Sequence, residues 1–203
     1  MISAAFFFCT HSYSQTSLQS FRKLSCPEKC WVIAHPFVAG KAQKISTEAS
    51  EVAKSMKGKA GLDNFEAGGS ADAFRHGYWM ARLTQEIGPR RASLLGKAHE
   101  KANYRQFKKR KNEDGILPDE ASSNMDFLNN DAGIEAGKRN PDAMPEKISE
   151  IIVEMISEGK MYIISRDSSG NFLDCKGEII NLDLYKGKWQ NPKCVIPSCR
   201  QHL

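Results

Sequence analysis

The dipeptide Gly88-Pro89 interrupts the most regular part of this sequence. Apolar residues recur every three or four positions over residues 71–87 before it, and again over residues 89–109 after it. Glycine commonly ends a helix, and proline is favoured in the first turn of the next one. The sequence therefore predicts two antiparallel helices joined by a tight turn, which favours a fold built around a helix hairpin.

Three further helices are predicted on either side of this hairpin. Residues 38–56 carry an amphipathic stripe, residues 122–137 begin with a capping serine at Ser122 or Ser123, and residues 145–159 begin with proline and present a buried face rich in isoleucine. A short helical or irregular segment leads into the first of them. The prediction is a mainly α fold, a bundle of about five helices with the hairpin at its centre.

The pattern changes after the fifth predicted helix. Residues 161–164 are rich in β-forming side chains, residues 167–170 have the composition of a turn, and residues 171–173 are suited to a returning strand. We therefore expect a helical domain over residues 15–159 and a small C-terminal β-hairpin appendage over residues 160–203, both in the same globular unit.

The first residues have the composition of a signal peptide. Residues 1–20 contain no Lys, Arg, Asp or Glu, and they begin with an apolar stretch at residues 2–8. Ser12 and Ser14 supply the small side chains that signal peptidase requires just before a cleavage site. We expect residues 1–14 to be a signal peptide and the protein to be exported, to the periplasm or the extracellular space.

Composition excludes several classes of protein. The longest purely apolar run, residues 4–9, is far shorter than a transmembrane segment. The formal charge of +5 is spread over most of the 203 residues, which argues against nucleic acid as a partner. The basic run at residues 105–111 is interpreted as a solvated helix end, where cations complement the helix dipole. The oligomeric state is not specified by these features, and the substrate, a small molecule or an envelope component, is not named.

The cysteines bear on disulfide formation, which depends on the redox state of the compartment. Five cysteines follow the predicted signal peptide: Cys26, Cys30, Cys175, Cys194 and Cys199. In an oxidising compartment they favour two disulfides, one of which would tie the N-terminal segment to the C-terminal one. A zinc site made of Cys26, Cys30, Cys194 and Cys199 is the weaker alternative, because its spacings are looser than those of a zinc ribbon.

Two histidines fall on the inward stripes of the predicted hairpin. His76 lies about 12 residues before the turn and His99 lies about 11 residues after it, so at 1.5 Å of rise per residue they reach nearly the same height. We therefore expect two buried imidazoles that face each other. Asp72 and Asn103 should lie opposite each other one turn farther from the hairpin turn.

The predicted fourth helix adds a carboxylate and two amides to this region. Asp126 and Asn130 are four residues apart and share a helix face, while Asn129 lies on the apolar stripe. Each polar group that is buried without a partner costs about 1 to 3 kcal/mol. A concentration of such groups therefore indicates a functional site, although a fully satisfied polar network that only fixes helix packing is an equally good interpretation.

Two chemistries fit these residues. In the first, His76, His99 and a carboxylate from Glu100 or Asp126 bind a divalent metal ion, with zinc the best match, and leave a position for an attacking water. In the second, one histidine is a general base oriented by Asp72 or Asp126, and the other holds the substrate. The candidate catalytic residues are His76, His99, Glu100 and Asp126. The candidate binding residues are Asp72, Arg75, Asn103, Asn129 and Asn130. The candidate metal ligands are His76, His99 and Asp126.

Three short blocks carry a resemblance to known sequences. A-D-A-F-R-H at residues 71–76, A-H-E at residues 98–100 and M-D-x-x-N-N at residues 125–130 are together similar to an uncharacterised family of secreted and wall-associated bacterial proteins. The similarity covers about residues 21–140. It implies an exported, mainly helical bacterial domain without an established activity. Some members carry His immediately before the Asn pair, and Leu128 at that position here removes one possible ligand.

These observations lead to two functional hypotheses. The first is an exported hydrolase-like domain that acts on an envelope or extracellular ester, amide or phosphodiester, assisted by a metal or by its histidines. The second is a non-enzymatic envelope binding or structural module, in which the buried polar residues only fix helix packing.

Overall fold

The computed structural model describes residues 19–65, 67–110 and 117–199, so the signal peptide expected at residues 1–14 lies outside the described residues. From residue 26 onwards, the described α-helices are α1 Cys26–Ala34, α2 Pro36–Met56, α3 Ser70–Ile87, α4 Pro89–Lys108, α5 Glu120–Arg139 and α6 Pro145–Ser157. They are followed by strand β1 Tyr162–Ile164, a short 3₁₀ helix Leu182–Tyr185 and strand β2 Val195–Pro197. The prediction of a mainly helical fold with a small β element near the C-terminus is confirmed. In the described part of the chain, no helix is long and apolar enough to cross a bilayer.

Local sequence signals define the helix ends. Gly88 ends α3 with a φ of 85°, and Pro89 begins α4, as the hairpin prediction requires. The prediction that Ser122 or Ser123 is the N-cap of α5 is wrong, because Asp119 holds that position. The side chain of Asp119 accepts a hydrogen bond from the Ser122 amide, and the Ser122 hydroxyl accepts one from the Asp119 amide. This reciprocal box satisfies two helix-end donors and starts α5 at Glu120.

Helix α3 is the centre of the fold and packs against α2, α4, α5 and α6. Its contact with α5 is unusually close, because small residues face each other there. A Cβ atom on Gly133 would lie 2.3 Å from the Gly77 carbonyl oxygen, and one on Gly137 would lie 2.5 Å from that of Ala81. The two backbones therefore touch, which allows short polar side chains on both helices to meet.

Two apolar clusters lie on different sides of α3. Phe74 and Tyr78 pack with isoleucines of α6 and with β1, while Met80 and Leu83 pack with Trp31 of α1 and with α2 and α4. Burial of each such side chain contributes about 1.5 to 3 kcal/mol to folding. Since both clusters share α3, the hydrophobic effect fixes the position of that helix on every side.

The β element differs from the predicted hairpin in its pairing. β1 pairs antiparallel with β2, with Ile163 opposite Ile196, rather than with residues 171–173. The expected turn after Arg166 does form, but the returning segment makes only isolated bridges, from Phe172 to Arg166 and from Leu173 to Ile179. β1 thus takes its partner from a segment about thirty residues later in the chain, which hairpin patterns do not reveal.

A disulfide holds this appendage together. It joins Cys175 to Cys194, so both sulfurs belong to the C-terminal region. The prediction of a disulfide is confirmed, but the expected tie between the two ends of the chain is wrong. The alternative zinc site is also wrong, because it needs Cys194 as a thiolate. Cys26, Cys30 and Cys199 carry free thiols in the described structure.

Candidate functional site

Asp72, His76 and Asp126 converge at the contact between α3 and α5. Asp72 and His76 lie one turn apart on α3, and Asp126 faces them from α5. One ligand atom from each lies within 4.8 Å of the others, and all three side chains are buried. The His76 Nε2 atom is 3.3 Å from Asp126 Oδ1 and 3.7 Å from Asp72 Oδ1. We call this group the Asp-His-Asp centre.

The protonation state of His76 follows from its neighbours. The Arg75 Nη2 atom lies 3.2 Å from His76 Nε2, and a guanidinium can only donate, so Nε2 accepts. The ring proton is therefore on Nδ1, which donates to Asn130 Oδ1 at 3.1 Å. Burial, reinforced by the charge of Arg75, lowers the pKa of His76 to about 3. The ring is neutral at physiological pH, with the Nε2 lone pair facing two carboxylates.

Asp72 is held in its ionised form at this centre. Burial would raise its pKa, but the adjacent guanidinium of Arg75, together with His76 and the Gly68 amide, lowers the pKa below the usual value. Arg75 Nη2 lies 2.6 Å from Asp72 Oδ1, and the Gly68 amide donates to the other oxygen at 2.7 Å. Three electron-rich atoms therefore converge in a buried volume, and Coulomb repulsion among them must be offset by positive charge.

His99 approaches His76 but has different partners. The two ring centroids are 6.2 Å apart, which confirms the approach predicted from the hairpin. His99 Nδ1 lies 3.2 Å from Glu28 Oε1, and its side chain is 22% exposed against 2% for His76. Trp79 packs edge-on against both rings. The expectation of two buried imidazoles is therefore wrong for His99, which is a partly exposed neighbour of the Asp-His-Asp centre.

Glu100 and Asn103 form a second buried polar group where α4 meets the start of α5. The Ser123 hydroxyl donates to Glu100 Oε2 at 2.8 Å, and Asn103 Nδ2 lies 3.4 Å from the same oxygen. Asn103 Oδ1 is buried and has no donor among the described residues. Since Asn103 also borders a cavity shared with Asp126, this acceptor is one to which a ligand could donate.

Asn129 has a different position from its neighbour Asn130. Its Nδ2 donates to the Tyr162 carbonyl at 2.9 Å, and its Oδ1 accepts from the Tyr162 amide at 2.8 Å. This fully buried amide therefore acts as a strand partner for β1 and fixes the appendage to α5. Asn130, one residue later, turns instead towards His76.

Three cavities border the Asp-His-Asp centre and share Arg75 as a wall, and two of them differ most in size and lining. One, of about 40 Å³, is polar and is lined by Asp72, Asn103 and Asp126 among others. The other, of about 720 Å³, is mostly apolar and is lined by α1 and α2 together with His76 and His99. The centre thus lies between a small polar space and a large apolar one.

Comparison with known proteins identifies the family. The model of a domain of unknown function (DUF6973) matches residues 29–160, well over half of the chain. The chain belongs to the DUF6973 family. The match begins in α1 and ends after α6, so it contains the whole Asp-His-Asp centre. No solved structure matches the chain.

The donor set of this DUF6973 domain fits a divalent cation. Metal-binding histidines usually donate their second ring N–H to an oxygen that fixes the tautomer, as the Nδ1 of His76 does to Asn130. One imidazole nitrogen and two carboxylates suit zinc or manganese. In this structure the guanidinium of Arg75 supplies positive charge between Asp72 and His76.

Three residues of this DUF6973 site are not among those predicted from the sequence. Glu28 reaches His99 from a distant part of the chain, and its only local signal is the capping box that it forms with Ser25. Trp79 lies one turn after His76 on α3, so helix periodicity would have found it. Ser123 was considered only as a helix cap, although it lies on the α5 face that carries Asp126.

Proposed function

We propose that this protein is a metal-assisted hydrolase whose Asp72, His76 and Asp126 hold a divalent cation. The observation that carries this proposal is the convergence of a neutral imidazole lone pair and two carboxylates in a buried space. A cation there would supply Lewis acidity towards a carbonyl or phosphoryl oxygen. The substrate would be an envelope or extracellular ester, amide or phosphodiester.

The surrounding residues have distinct roles in this proposal. Asn130 holds the His76 ring so that Nε2 faces the carboxylates. Glu28 holds His99 for proton transfer near the centre, as carboxylates orient catalytic histidines elsewhere. Arg75 is 30% exposed and borders both cavities, so it has room to withdraw from His76 and bind an anionic group of the substrate.

Metal binding can be tested directly. Chelator-treated protein should bind Zn²⁺ or Mn²⁺ at one ion per chain in calorimetric titration, and Asp126→Asn and His76→Gln should each weaken binding at least about tenfold. Glu135→Gln is the matched control, because it removes an exposed carboxylate paired with Lys138. Equal affinity in all variants, or no binding by the parent protein, would refute the metal site.

Activity should be measured on simple substrates of each bond type. Nitrophenyl esters, nitroanilides and bis(nitrophenyl) phosphate separate ester, amide and phosphodiester hydrolysis. We expect turnover of at least one class by the metal-loaded protein, loss of it on chelation and recovery when metal is restored. Turnover that ignores chelator but requires His99 would replace the metal mechanism by histidine acid-base catalysis.

A structural module is the second candidate, and one observation favours it. Arg75 already bridges Asp72 and His76, so the buried charge of Asp72 is compensated without an ion. In that case His76→Ala should reduce stability by about 1 to 3 kcal/mol and change neither metal content nor activity. Elemental analysis of the purified protein together with its unfolding curve distinguishes the two candidates.

Export belongs to the same proposal. The Cys175–Cys194 disulfide supports it, since such bridges persist mainly in oxidising compartments. The expected result of expressing the full chain in a bacterial host is a periplasmic or secreted product shortened by residues 1–14. Detection by mass spectrometry of an unshortened product in the cytoplasm would contradict export.

A further inference from the structure

The cavity of about 720 Å³ indicates what kind of molecule reaches the Asp-His-Asp centre. Its volume lies in the upper part of the range for small-molecule sites, about 300 to 1,000 Å³. Leu24, Trp31, Val32, Ala42 and Leu95 contribute carbon surface to its walls. A cavity of this volume is larger than a water molecule or an ion needs, and its apolar walls do not suit either of them.

The polar atoms in the cavity walls are largely engaged with the protein itself. Ser46 Oγ donates to the Ala42 carbonyl and accepts from Trp79 Nε1 at 2.9 Å. Trp31 Nε1 donates to the Arg91 carbonyl. Carbon atoms make up most of the wall surface, so the cavity presents mainly rings and alkyl groups to an occupant. A sugar or a nucleotide would have to bury its hydroxyl groups against carbon, which is unfavourable without hydrogen bonds.

Reactive groups lie along one part of this apolar space. His76 and His99 line it with their rings 6.2 Å apart, and Glu28 holds His99 there. Arg75 separates it from the polar cavity that contains Asp72 and Asp126. A molecule with an apolar chain in the large cavity would thus bring the polar end of that chain to the centre.

We propose that the substrate is amphipathic, a linear acyl chain of several carbons joined through an ester or amide, with the chain in the 720 Å³ cavity and the carbonyl group beside His76. This inference rests on the proposed hydrolase function and narrows its substrate class to acyl esters and amides. Water adds to the carbonyl carbon, and the bond from that carbon to the ester oxygen or the amide nitrogen breaks. The leaving oxygen or nitrogen takes up a proton from the water, so the products are a carboxylic acid and an alcohol or an amine.

Binding of the chain is tested apart from catalysis. Full-length, chelator-treated protein is titrated with cis-parinaric acid, a fluorescent fatty acid, and the probe is displaced by saturated fatty acids of four to twelve carbons. Each added methylene should tighten competition about twofold to fourfold until the cavity is filled. Absence of probe binding, or competition independent of chain length, would overturn the inference even if metal binding and hydrolysis are found.

Two matched tryptophan variants locate the binding. Ala39→Trp places a large ring in the cavity wall and should weaken probe binding at least about tenfold. Ala34→Trp adds the same ring at an exposed position of α1 outside the lining and should leave binding unchanged. Equal binding by both tryptophan variants would refute this cavity as the site, whatever the chain-length result.

The chain-length dependence of hydrolysis links binding to the reaction. With metal-loaded protein, nitrophenyl esters from acetate to decanoate should show a falling KM, and Ala39→Trp should abolish that trend. Preference for acetate would overturn the acyl-chain inference while leaving the proposed hydrolase intact. Probe binding without metal binding or turnover would instead refute the proposed hydrolase and retain the cavity as an acyl-chain site.

Discussion

His76 and His99 are the same residue type on neighbouring helices, with ring centroids 6.2 Å apart, but their surroundings are different. His76 is buried between two helices that touch, and its partners are Asn130 and two carboxylates. His99 is partly exposed and is paired with Glu28 from α1. In the proposed hydrolase, the pair would separate two tasks: His76 would be a neutral ligand whose tautomer is fixed, and His99 would be the nearby, partly exposed histidine for proton transfer.

The difference arises from backbone packing more than from the histidines themselves. His76 is enclosed because Gly77 and Gly133 let α3 and α5 approach until their backbones touch. His99 is covered by the first turn of α1, through Glu28, and by the Trp79 ring, and it stays partly exposed. Changing each environment separately should therefore move one histidine and leave the other in place.

Substitution of Gly133 by Ala should have the largest effect. Its new Cβ would lie 2.3 Å from the Gly77 carbonyl oxygen, a backbone atom that cannot move without shifting α3. We expect the free energy of unfolding to fall by about 3 kcal/mol, as for severe overpacking of a core. Urea denaturation measures the loss, and NMR of the histidine rings should show His76 perturbed more than His99.

Gly40 provides the matched control for this substitution. A Cβ there would meet no described atom within 4 Å, and the residue lies inside α2. Ala is favoured over Gly in a helix interior by roughly 0.5 to 1 kcal/mol, so Gly40→Ala should be mildly stabilising. A destabilisation of similar size in both variants would contradict the helix contact as the cause.

Substitution of Asn130 by Ala should have the next largest effect, on the affinity of the proposed metal site. It removes the acceptor for the His76 Nδ1–H, and loss of such an outer partner typically weakens metal affinity about 10- to 100-fold. Asn129→Ala is the matched control, since that amide binds the Tyr162 backbone instead. A calorimetric titration in which both variants lose the same affinity would contradict the assigned role of Asn130.

Comparison with the sequence explains which parts of this geometry could be predicted. The hairpin and the helices around it follow from local signals such as Gly88-Pro89 and the periodic apolar stripes. The approach of His76 and His99 follows from counting residues along two antiparallel helices. Asp126 and Asn130 could be assigned to one face, because residues four apart on a helix are neighbours.

Other features depend on contacts between distant parts of the chain. Glu28 is 71 residues from its partner His99, and no periodicity links α1 to α4. The pairing of β1 with β2 depends on a long excursion closed by the Cys175–Cys194 bridge. The large cavity is likewise a property of how α1 and α2 lie over α3. Tertiary packing, which local patterns do not encode, decides all three.

Substitution of Glu28 by Gln should have the smallest effect, and its pH dependence sharpens the contrast between the histidines. Burial would raise the pKa of Glu28, but hydrogen bonds from His99 and Ser25 outweigh it and lower the pKa to about 2 from an ordinary value of 4.5. A carboxyl whose pKa is lowered on folding stabilises the protein above its unfolded pKa, and that stabilisation is lost as the pH falls through the folded value.

The parent protein should therefore be more stable than Glu28→Gln by about 1 kcal/mol at pH 7, and this difference should shrink below pH 4.5 and vanish near pH 2. Gln preserves the capping box with Ser25, so the change reports on the charge that faces His99 rather than on the helix start. Thermal unfolding of both proteins at pH 7, 4.5 and 3 measures this difference in stability. A difference that stays constant over this range would mean that the carboxylate does not hold His99, and the functional contrast with His76 would then rest on burial alone.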